Sequence, residues 1–240
     1  MKETTKDAAR TATRDTARDH STFDRAYYDK HYESVATRVH GPREIAALAS
    51  GVVGMMKWYG APIRNVLDVG AGPGLWRDWF KTELPRTRYR SVEYSTYACE
   101  RYGHEHGNLV TLSGNEAYDL VVCQGVLPYI NDEDLPKAMA KLAKFSGGFL
   151  YLECVTERDL RTVCDRDLTD THIHRRKGSV YRAHLDKHFV PVGAGLYYAK
   201  KGPCVFYELE TPGRVPLASK KSPTGRKTRA SASRPMNKSA

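Results

Sequence analysis

The sequence predicts an α/β protein with a doubly wound, mostly parallel seven-stranded sheet that ends in an antiparallel hairpin. Three observations indicate this fold. Buried-strand patterns alternate with helical patterns between residues 64 and 153, and this alternation requires crossover connections and a largely parallel sheet. A glycine-rich turn joins the first strand to its helix. Around residue 200, two apolar runs flank a Lys-Lys-Gly turn, which is typical of a hairpin.

The amino-terminal part of the chain predicts two helices before the first strand. The aromatic residues between Phe23 and Tyr32 fall at helical spacing and share one face of a short helix. Pro42 opens a second helix, which Gly60 ends. Residues 1–20 alternate charge with Ala and Thr and contain no apolar signal core, so we expect a flexible arm there and no export.

The central and carboxyl-terminal regions supply the sheet. Apolar residues fill both faces of the central strands, so we expect helices on both sides of the sheet. After residue 188 the pattern changes to two short strands joined by a glycine turn. The predicted strands are 66–69, 89–94, 109–112, 120–123, 149–153, 196–199 and 205–209, and the predicted helices are 75–82, 96–102, 133–145 (capped by Asp132) and 180–188.

The net charge of +10 is concentrated at the carboxyl end. Residues 213–240 contain eight Lys and Arg residues and no acidic residue, which leaves residues 21–212 close to neutral. This composition predicts a disordered basic tail. Such a tail is usually solvated, and its alternative role is an electrostatic anchor for nucleic acid.

Composition also excludes several protein classes. The five cysteines form no CxxC pair, so we expect a protein of the reducing cytoplasm, without a disulfide framework. The most apolar stretch, residues 45–58, is interrupted by glycines and Lys57. It falls short of the roughly 18 uninterrupted apolar residues that a membrane span needs. We therefore expect a soluble protein with no membrane partner.

The strongest chemical signal is VLDVGAGPG at residues 66–74, where a buried strand runs into a glycine-rich turn. Gly70, Gly72 and Gly74 let the backbone adopt positive φ and let a ligand approach closely. The second strand ends in Glu93, a carboxylate that can accept hydrogen bonds from both hydroxyls of a ribose. Open α/β sheets bind ligands where these two features meet, at the carboxyl ends of their strands. The alternative is a strand-capping Asp and a surface Glu.

These motifs resemble those of the class I (Rossmann-like) S-adenosylmethionine-dependent methyltransferase family, over about residues 64–210. Residues 68–74 resemble the family's first motif, and Val92-Glu93 resembles its acidic strand end. DLVVCQGVLPYI at residues 119–130 resembles the fourth motif, and GGFLYLE at residues 147–153 resembles the fifth strand with its glycine turn. The resemblance implies a methyltransferase with S-adenosyl-L-methionine as its cofactor.

The resemblance also implies which residues bind that cofactor. Gly70, Gly72 and Gly74 would pass under its methionine end, with Asp68 steering the amino group and Glu93 holding the ribose. The other implied contacts are Tyr94 against the adenine, Ser113 and Gly114 near the adenine edge, and the backbone carbonyl of Cys123 toward the amino group.

The glycine spacing distinguishes this cofactor from NAD. A dinucleotide-binding turn has the pattern Gly-x-Gly-x-x-Gly, which brings a pyrophosphate to the helix N-terminus. Here Gly74 comes one residue early and Pro73 stands in the turn. S-adenosylmethionine has no phosphate, so the spacing favours it.

The fourth motif carries the catalytic candidates. Methyl transfer from a sulfonium is an in-line displacement, so the protein mainly aligns the nucleophile and excludes water. The motif lacks the Asn/Asp-Pro-Pro-Tyr/Phe of relatives that methylate planar amino nitrogens, which disfavours adenine or glutamine-amide acceptors. In many similar small-molecule enzymes the position of Tyr129 faces the substrate, and Gln124 is the second candidate, near the transferring methyl group. The alternative for Tyr129 is a core tyrosine with a satisfied hydroxyl.

Two further segments have open interpretations. Residues 154–188, where this family places substrate-binding insertions, are rich in Arg, Asp and His. Their arginines suit an acidic substrate, or the charges pair on a solvated loop. The spacing of His and Cys in this segment matches no standard zinc pattern, so we expect no metal. At the other end, Tyr27, Tyr28 and Tyr32 close over the cofactor as a lid, with Arg38 reaching an anionic group, or they pack on the core.

The sequence thus predicts three parts and leaves several functions open. The preferred function is methyl transfer to a small molecule. The alternatives are a nucleic-acid methyltransferase that uses the basic tail, an NAD-dependent oxidoreductase and a non-catalytic cofactor-binding module. The oligomeric state is not predicted. The parts are an arm (1–20), a methyltransferase domain (21–212, with a cofactor-binding core at 64–153, a substrate-region insertion at 154–188 and a final hairpin at 196–210) and a basic tail (213–240).

Overall fold

The computed structural model describes residues 20–212, and its centre is a seven-stranded sheet. The predicted arm, apart from His20, and the predicted basic tail lie outside the described residues. The strands are Asn65–Val69 (β1), Arg88–Glu93 (β2), Glu105–His106 (β3), Tyr118–Gln124 (β4), Ser146–Glu153 (β5), Phe189–Gly193 (β6) and Leu196–Ala199 (β7). The α-helices are Arg25–Tyr28 (α1), Pro42–Trp58 (α2), Leu75–Glu83 (α3), Thr96–Tyr102 (α4), Leu135–Phe145 (α5), Glu157–Thr162 (α6) and Gly178–His188 (α7), with a π-helical turn at Asp29–Glu33 and 3₁₀ turns at His20–Thr22, Leu127–Tyr129 and Glu208–Glu210.

The strand order is β3-β2-β1-β4-β5-β7-β6, which confirms the predicted fold class. β1 lies between β2 and β4 and is parallel to both, and β5 is parallel to β4. β7 is antiparallel to both of its neighbours, β5 and β6. The order reverses between β1 and β4, so the carboxyl ends of these two strands border the crevice in which such sheets bind ligands.

Both faces of the sheet are buried because successive strand residues point to opposite sides. In β1, Val66 packs on the side of α2 and α3, whereas Leu67 packs on the side of α5 and α7. In β4, Leu120 packs on the side of α2 and α3, and Val121 packs on the side of α5 and α7. The two layers of helices hold the central strands rigidly, and their carboxyl ends therefore present a fixed platform.

The helices next to this platform begin and end with the expected residues. Pro42 occupies the first turn of α2, and the Glu44 carboxylate accepts a hydrogen bond from the backbone N–H of Gly41 (2.9 Å). The Ser95 hydroxyl caps α4 by accepting from the N–H of Ala98 (3.1 Å), and Gly103 ends that helix with a φ of +75°. These caps satisfy backbone groups that a helix end leaves unpaired.

The predicted third strand, residues 109–112, is wrong. The strand is Glu105–His106, whose side chains are exposed at the sheet edge, so no apolar pattern marks it. Residues 109–111 form a turn, in which the Asn108 side chain accepts a hydrogen bond from the N–H of Val110 (2.8 Å). Leu109 and Leu112 are both buried against the core from this turn, and their burial imitates a strand pattern.

The predicted final hairpin at 196–210 is also wrong, because the hairpin is formed by β6 and β7. Its turn contains Ala194 (φ +48°) and Gly195 (φ +77°), rather than the Lys-Lys-Gly segment. β7 already pairs with β5 on one side and β6 on the other, so residues 205–209 cannot pair with it as the sequence predicted. Val205 and Leu209 are exposed there, and Phe206 packs on the core.

Two smaller differences concern helices. The helix predicted from residue 133 begins at Leu135, with Asp134 rather than Asp132 at its N-cap position. Helix α6 is additional and lies within the predicted substrate-region insertion. It forms because the Thr156 hydroxyl accepts from the Asp159 N–H while the Asp159 carboxylate accepts from the Thr156 N–H. Within residues 20–212, no helix has the length and apolar character that a bilayer span requires.

Candidate active site

The glycine turn after β1 has the backbone conformation that the sequence predicts. Gly70, Gly72 and Gly74 have φ values of +71°, +55° and +81°. A Cβ at Gly70 would lie 2.2 Å from a methyl carbon of Val126, and one at Gly74 would lie 2.7 Å from the Arg77 guanidinium. Side chains are therefore disfavoured by conformation at all three positions and also excluded by space at Gly70, which leaves the backbone bare toward a ligand.

Asp68 lies at the base of this turn and is almost fully buried. Burial raises the pKa of its carboxyl to about 7, although the hydrogen bond from the Tyr89 hydroxyl (2.8 Å) acts in the opposite direction. Such a group favours a cationic partner, because a nearby positive charge offsets the cost of ionising it. Asp68 lines the cavity described below.

Glu93, at the end of β2, holds three backbone amides. Its carboxylate accepts hydrogen bonds from the N–H groups of Gly72 (2.9 Å), Tyr94 (2.7 Å) and Ser95 (2.9 Å). Burial nevertheless raises its pKa above the usual value. A carboxylate has about four acceptor positions, so one remains for a further donor. Glu93 thus ties the glycine turn to the second strand.

The aromatic segment, residues 23–32, covers Glu93 and Tyr94. The Phe23 ring contacts the rings of both Tyr94 and Tyr129, at centroid distances of 6.4 and 5.1 Å, and its carbonyl accepts from the Ser95 hydroxyl (2.5 Å). The Tyr32 ring lies 3.8 Å from the position of a Cβ at Gly72. The segment therefore packs on the surface that is predicted to bind the nucleoside. This position agrees with both interpretations of the segment, as a lid over the cofactor and as part of the core.

His104 is a site residue that the sequence reasoning missed. Burial lowers its pKa to about 4, so the imidazole is neutral at pH 7. Its Nε2 lies 3.1 Å from the carbonyl oxygen of Gly72, and its Nδ1 lies 2.9 Å from the Ser91 hydroxyl. Because a carbonyl only accepts, Nε2 carries the proton and Nδ1 accepts from Ser91. No motif marks His104, since it comes before a strand that the apolar pattern does not reveal.

Ser113 and Gly114, which were predicted near the adenine edge, lie away from the cavity. Ser113 is exposed and does not line the cavity, and the adjacent Gly114 lies near Phe145 and Arg90, at the amino ends of the strands. The expectation for Ser113 followed from the predicted third strand, which the structure places at Glu105–His106 instead. Cys123 is fully buried, and burial raises the pKa of its thiol far above the usual value, so the side chain is not a thiolate nucleophile.

Tyr129 belongs to a hydrogen-bonded chain at the mouth of the site. Its hydroxyl donates to Asp170 Oδ2 (3.1 Å) and lies 2.9 Å from the Tyr27 hydroxyl. Since Tyr129 has one proton to donate, Tyr27 donates to Tyr129 in this arrangement. Burial and the Asp170 charge raise the pKa of Tyr129 well above its usual value, so the hydroxyl stays protonated. Asp170 therefore links the insertion to the fourth motif, a contact that sequence spacing did not reveal.

Gln124 is fixed by hydrogen bonds at both ends of its amide. Trp76 Nε1 donates to Gln124 Oε1 (2.8 Å), and Gln124 Nε2 donates to Glu153 Oε2 (3.1 Å). The indole is only a donor, so it fixes which end of the amide faces Glu153. The Tyr151 hydroxyl also donates to Glu153 Oε2 (3.0 Å). This chain connects α3 to the ends of β4 and β5.

Several of these residues line one cavity of about 610 Å³ at the carboxyl ends of β1, β4 and β5. This volume is in the range of small-ligand sites. The cavity is lined by Asp68, Gly70 and Gly72 on one side and by Gln124, Tyr129 and Glu153 on another, whereas Gly74, Glu93, Tyr94, Ser113 and Cys123 are not part of the lining. The wall opposite the sheet is formed by residues 154–173 and by the aromatic segment.

The arginines of the insertion do not face this cavity. Arg176 is buried but donates to the carbonyl of Ile130 (2.5 Å), the carbonyl of Leu127 (3.2 Å) and the carboxylate of Asp132 (2.6 Å), so it fastens the turn that carries Tyr129. The other arginines between residues 154 and 188 are exposed on the surface. No arginine of this segment lines the cavity, so the structure offers an acidic substrate no arginine partner there. Within residues 20–212, no group of three or more metal-binding side chains is arranged around a common point.

Comparisons with known proteins give matches in structure only. No protein-family model matches the sequence, and no curated protein matches it. Among solved structures, the plantazolicin methyltransferase BpumL, in complex with a pentazolic desmethylPZN analog and SAH, is 13% identical with a TM-score of 0.51, and the match covers 68% of this chain and 66% of BpumL. The N-methyltransferase NodS from Bradyrhizobium japonicum WM9 is 15% identical with a TM-score of 0.45, over 66% of this chain and 87% of NodS.

The match to BpumL agrees with the topology. This chain spans about two thirds of the length of BpumL. The strand order, with one reversed strand next to the edge, is the arrangement that the sequence resemblance implied. This chain therefore has the fold of the class I S-adenosylmethionine-dependent methyltransferases.

Proposed function

We propose that this protein is an S-adenosylmethionine-dependent methyltransferase that transfers a methyl group to a small-molecule acceptor by in-line displacement. One observation carries the proposal. The bare glycine turn, the buried carboxylate of Asp68 and the hydroxyl of Tyr129 all border a single cavity at the carboxyl ends of the strands. A cavity of this size fits a small acceptor beside the cofactor rather than a duplex or a folded protein.

The chemistry of the donor set fits the cofactor. The positive φ values of Gly70 and Gly72 leave backbone without Cβ atoms toward the cavity, which suits the methionine part. Asp68 supplies a buried carboxylate for its amino group, and Glu93 supplies one for the ribose hydroxyls. When bound, S-adenosylmethionine supplies an electrophilic methyl group on a sulfonium.

In this proposal the protein's own groups bind the cofactor, orient the acceptor and exclude water from the site. His104 and Glu93 hold the glycine turn from two sides, through the carbonyl and the N–H of Gly72. Tyr129 is held by Asp170 and Tyr27 and presents a fixed hydroxyl to the acceptor. In this proposal the aromatic segment moves to admit the adenosine and then closes over it, because Phe23 contacts the ring of Tyr94.

Calorimetric titration with S-adenosylmethionine, S-adenosylhomocysteine and NADH tests the proposal. We expect both adenosyl ligands to bind and NADH to give no heat, because the turn lacks the pyrophosphate-binding glycine spacing. Binding of NADH, or no binding of either adenosyl ligand, would contradict the proposed cofactor. If they bind, incubation with methyl-labelled cofactor and a set of small acceptors then tests transfer.

Cofactor binding should depend on pH through Asp68. The ligand's ammonium group binds the ionised carboxylate, and the pKa of Asp68 is about 7 in the free protein. Affinity for S-adenosylhomocysteine should therefore rise as pH increases from 6 to 8, by roughly tenfold, because the ionised fraction rises by about that factor over this interval. Titrations at several pH values check this, with Asp68→Asn as the control that binds weakly at every pH. A flat profile in the parent protein would remove Asp68 from the amino-group site.

A further inference from the structure

The acceptor side of the cavity contains a carboxylate whose orientation is set by other side chains. Glu153, at the end of β5, lines the cavity and is 40% exposed. Its Oε2 accepts from Gln124 and from Tyr151, and Gln124 is itself fixed by Trp76. Two donors on one oxygen hold the carboxylate in a single orientation and leave Oε1 available on the other side.

The environment of Oε1 lacks a bonded cation in the described part of the chain. His40 Nε2 lies 3.9 Å away, which is longer than a hydrogen bond. Among the described residues that line the cavity, none is Lys or Arg. Four other carboxylates line it, those of Asp68, Asp159, Asp165 and Asp170, although residues 21–212 are close to neutral as a whole. The cavity thus concentrates carboxylates in a domain with little net charge.

The rest of the acceptor side is aromatic and apolar. The rings of Tyr27, Trp76 and Tyr129 line the cavity, together with Leu168 and Ile173. Aromatic faces attract organic cations, and they also bury the apolar body of a ligand. A carboxylate with fixed orientation among aromatic rings matches a ligand that has a positively charged nitrogen on an apolar frame.

We propose that the methyl acceptor is an amine, whose nitrogen or a neighbouring ammonium group is bound by Glu153 Oε1. This inference rests on the proposed methyltransferase function and names its substrate class. Gln124 is then a positioning residue for Glu153. The amino nitrogen that reacts first loses a proton to water, which frees its lone pair. That lone pair forms the new N–CH₃ bond while the electron pair of the S–CH₃ bond goes to sulfur.

The movement of positive charge during methyl transfer also supports an amine acceptor. The positive charge leaves sulfur and appears on the nitrogen, so the product is an N-methylated ammonium and a neutral thioether. Carboxylates around the acceptor stabilise this developing charge, whereas they would repel an acidic acceptor. A phenolate or carboxylate acceptor is therefore disfavoured by the same residues that favour an amine.

Three probes of equal shape and different charge test the amine assignment. The protein is saturated with S-adenosylhomocysteine and titrated calorimetrically with phenethylamine, phenethyl alcohol or phenylacetate. We expect phenethylamine to bind about tenfold more tightly than the alcohol, since one charge-assisted contact distinguishes them, and phenylacetate to bind most weakly. Equal binding of the three, a preference for the alcohol or phenylacetate, or no measurable binding of the amine would overturn the assignment.

Variants at Glu153 test whether this residue causes the preference for the amine. Glu153→Gln keeps the shape and the hydrogen-bond acceptor, and we expect it to reduce the amine preference to within about twofold while leaving affinity for S-adenosylhomocysteine unchanged. Glu153→Asp keeps the charge and should retain part of the preference. The control is Glu208→Gln, an exposed carboxylate outside the cavity, which should behave like the parent. An undiminished preference in Glu153→Gln would exclude Glu153 as the amine-binding residue.

The outcomes separate this inference from the proposed function. If S-adenosylhomocysteine does not bind the parent protein, the proposed function fails. The same three probes titrated into the protein alone then still decide whether Glu153 selects an amine. If S-adenosylhomocysteine binds and the amine is not preferred, the methyltransferase proposal stands and the substrate class is wrong.

Discussion

Glu93→Gln should weaken cofactor binding about 100-fold, which corresponds to about 2.7 kcal/mol. In the proposed complex the Glu93 carboxylate accepts a hydrogen bond from a ribose hydroxyl at its one remaining acceptor position, and a hydrogen bond to a charged acceptor contributes roughly 1.5–3 kcal/mol. The amide also turns an N–H group toward the N–H of Gly72, which now donates to Glu93 Oε2 at 2.9 Å. Calorimetric titration with S-adenosylhomocysteine measures the loss.

At this position Gln tests the ribose contact more specifically than Ala does. Glu93 holds the N–H groups of Gly72, Tyr94 and Ser95, so Ala would leave three donors without their acceptor and would loosen the turn itself. Glu100→Gln, an exposed carboxylate on the next helix, is the matched control and should bind the cofactor like the parent. An affinity in Glu93→Gln equal to that control would refute the ribose assignment.

Arg176→Met should lower the free energy of unfolding by about 3 kcal/mol. The Arg176 side chain is 5% exposed, and its guanidinium donates to the carbonyls of Leu127 and Ile130 and to the Asp132 carboxylate. Methionine replaces the apolar stem but supplies no donor, so buried acceptors lose their partner. Denaturant unfolding followed by tryptophan fluorescence measures the change.

The neighbouring Arg175 provides the control for this experiment. Its side chain is exposed, so Arg175→Met should change stability by less than about 0.5 kcal/mol. Because the turn that Arg176 fastens carries Tyr129, we also expect Arg176→Met to weaken acceptor binding more than cofactor binding. Equal stability of the two variants would show that the buried guanidinium does not hold the turn.

Local sequence patterns were sufficient for the elements that are buried on both sides. β1 and β4 are apolar on successive residues because helices cover both faces of the sheet, and their patterns were correctly interpreted. The positive φ of Gly70, Gly72 and Gly74 follows from the same kind of local signal, since glycines at alternate positions after a buried strand are typical of a turn with left-handed backbone.

Apolar sequence patterns predicted strands wrongly where the burial of a segment depends on neighbouring segments and not on its own secondary structure. Leu109 and Leu112 are buried from a turn and imitate a strand, whereas Glu105–His106 is a strand with exposed side chains at the sheet edge. Residues 205–209 form an apolar run typical of a strand, but β7 has no free edge to accept them. Strand pairing is a property of two segments, and one segment's sequence does not specify whether its partner is already paired.

The fold class, the glycine turn and the acidic end of β2 could be predicted from local sequence, because each depends on residues that are close together along the chain. Which charges face the cavity depends instead on how distant segments pack. This packing turns Arg176 inward to fasten a turn, leaves the other arginines of the insertion at the surface, and joins Gln124 to Glu153 and Tyr129 to Asp170. The physical reason is that a side chain's direction depends on packing between segments distant in sequence, and no local periodicity encodes that packing.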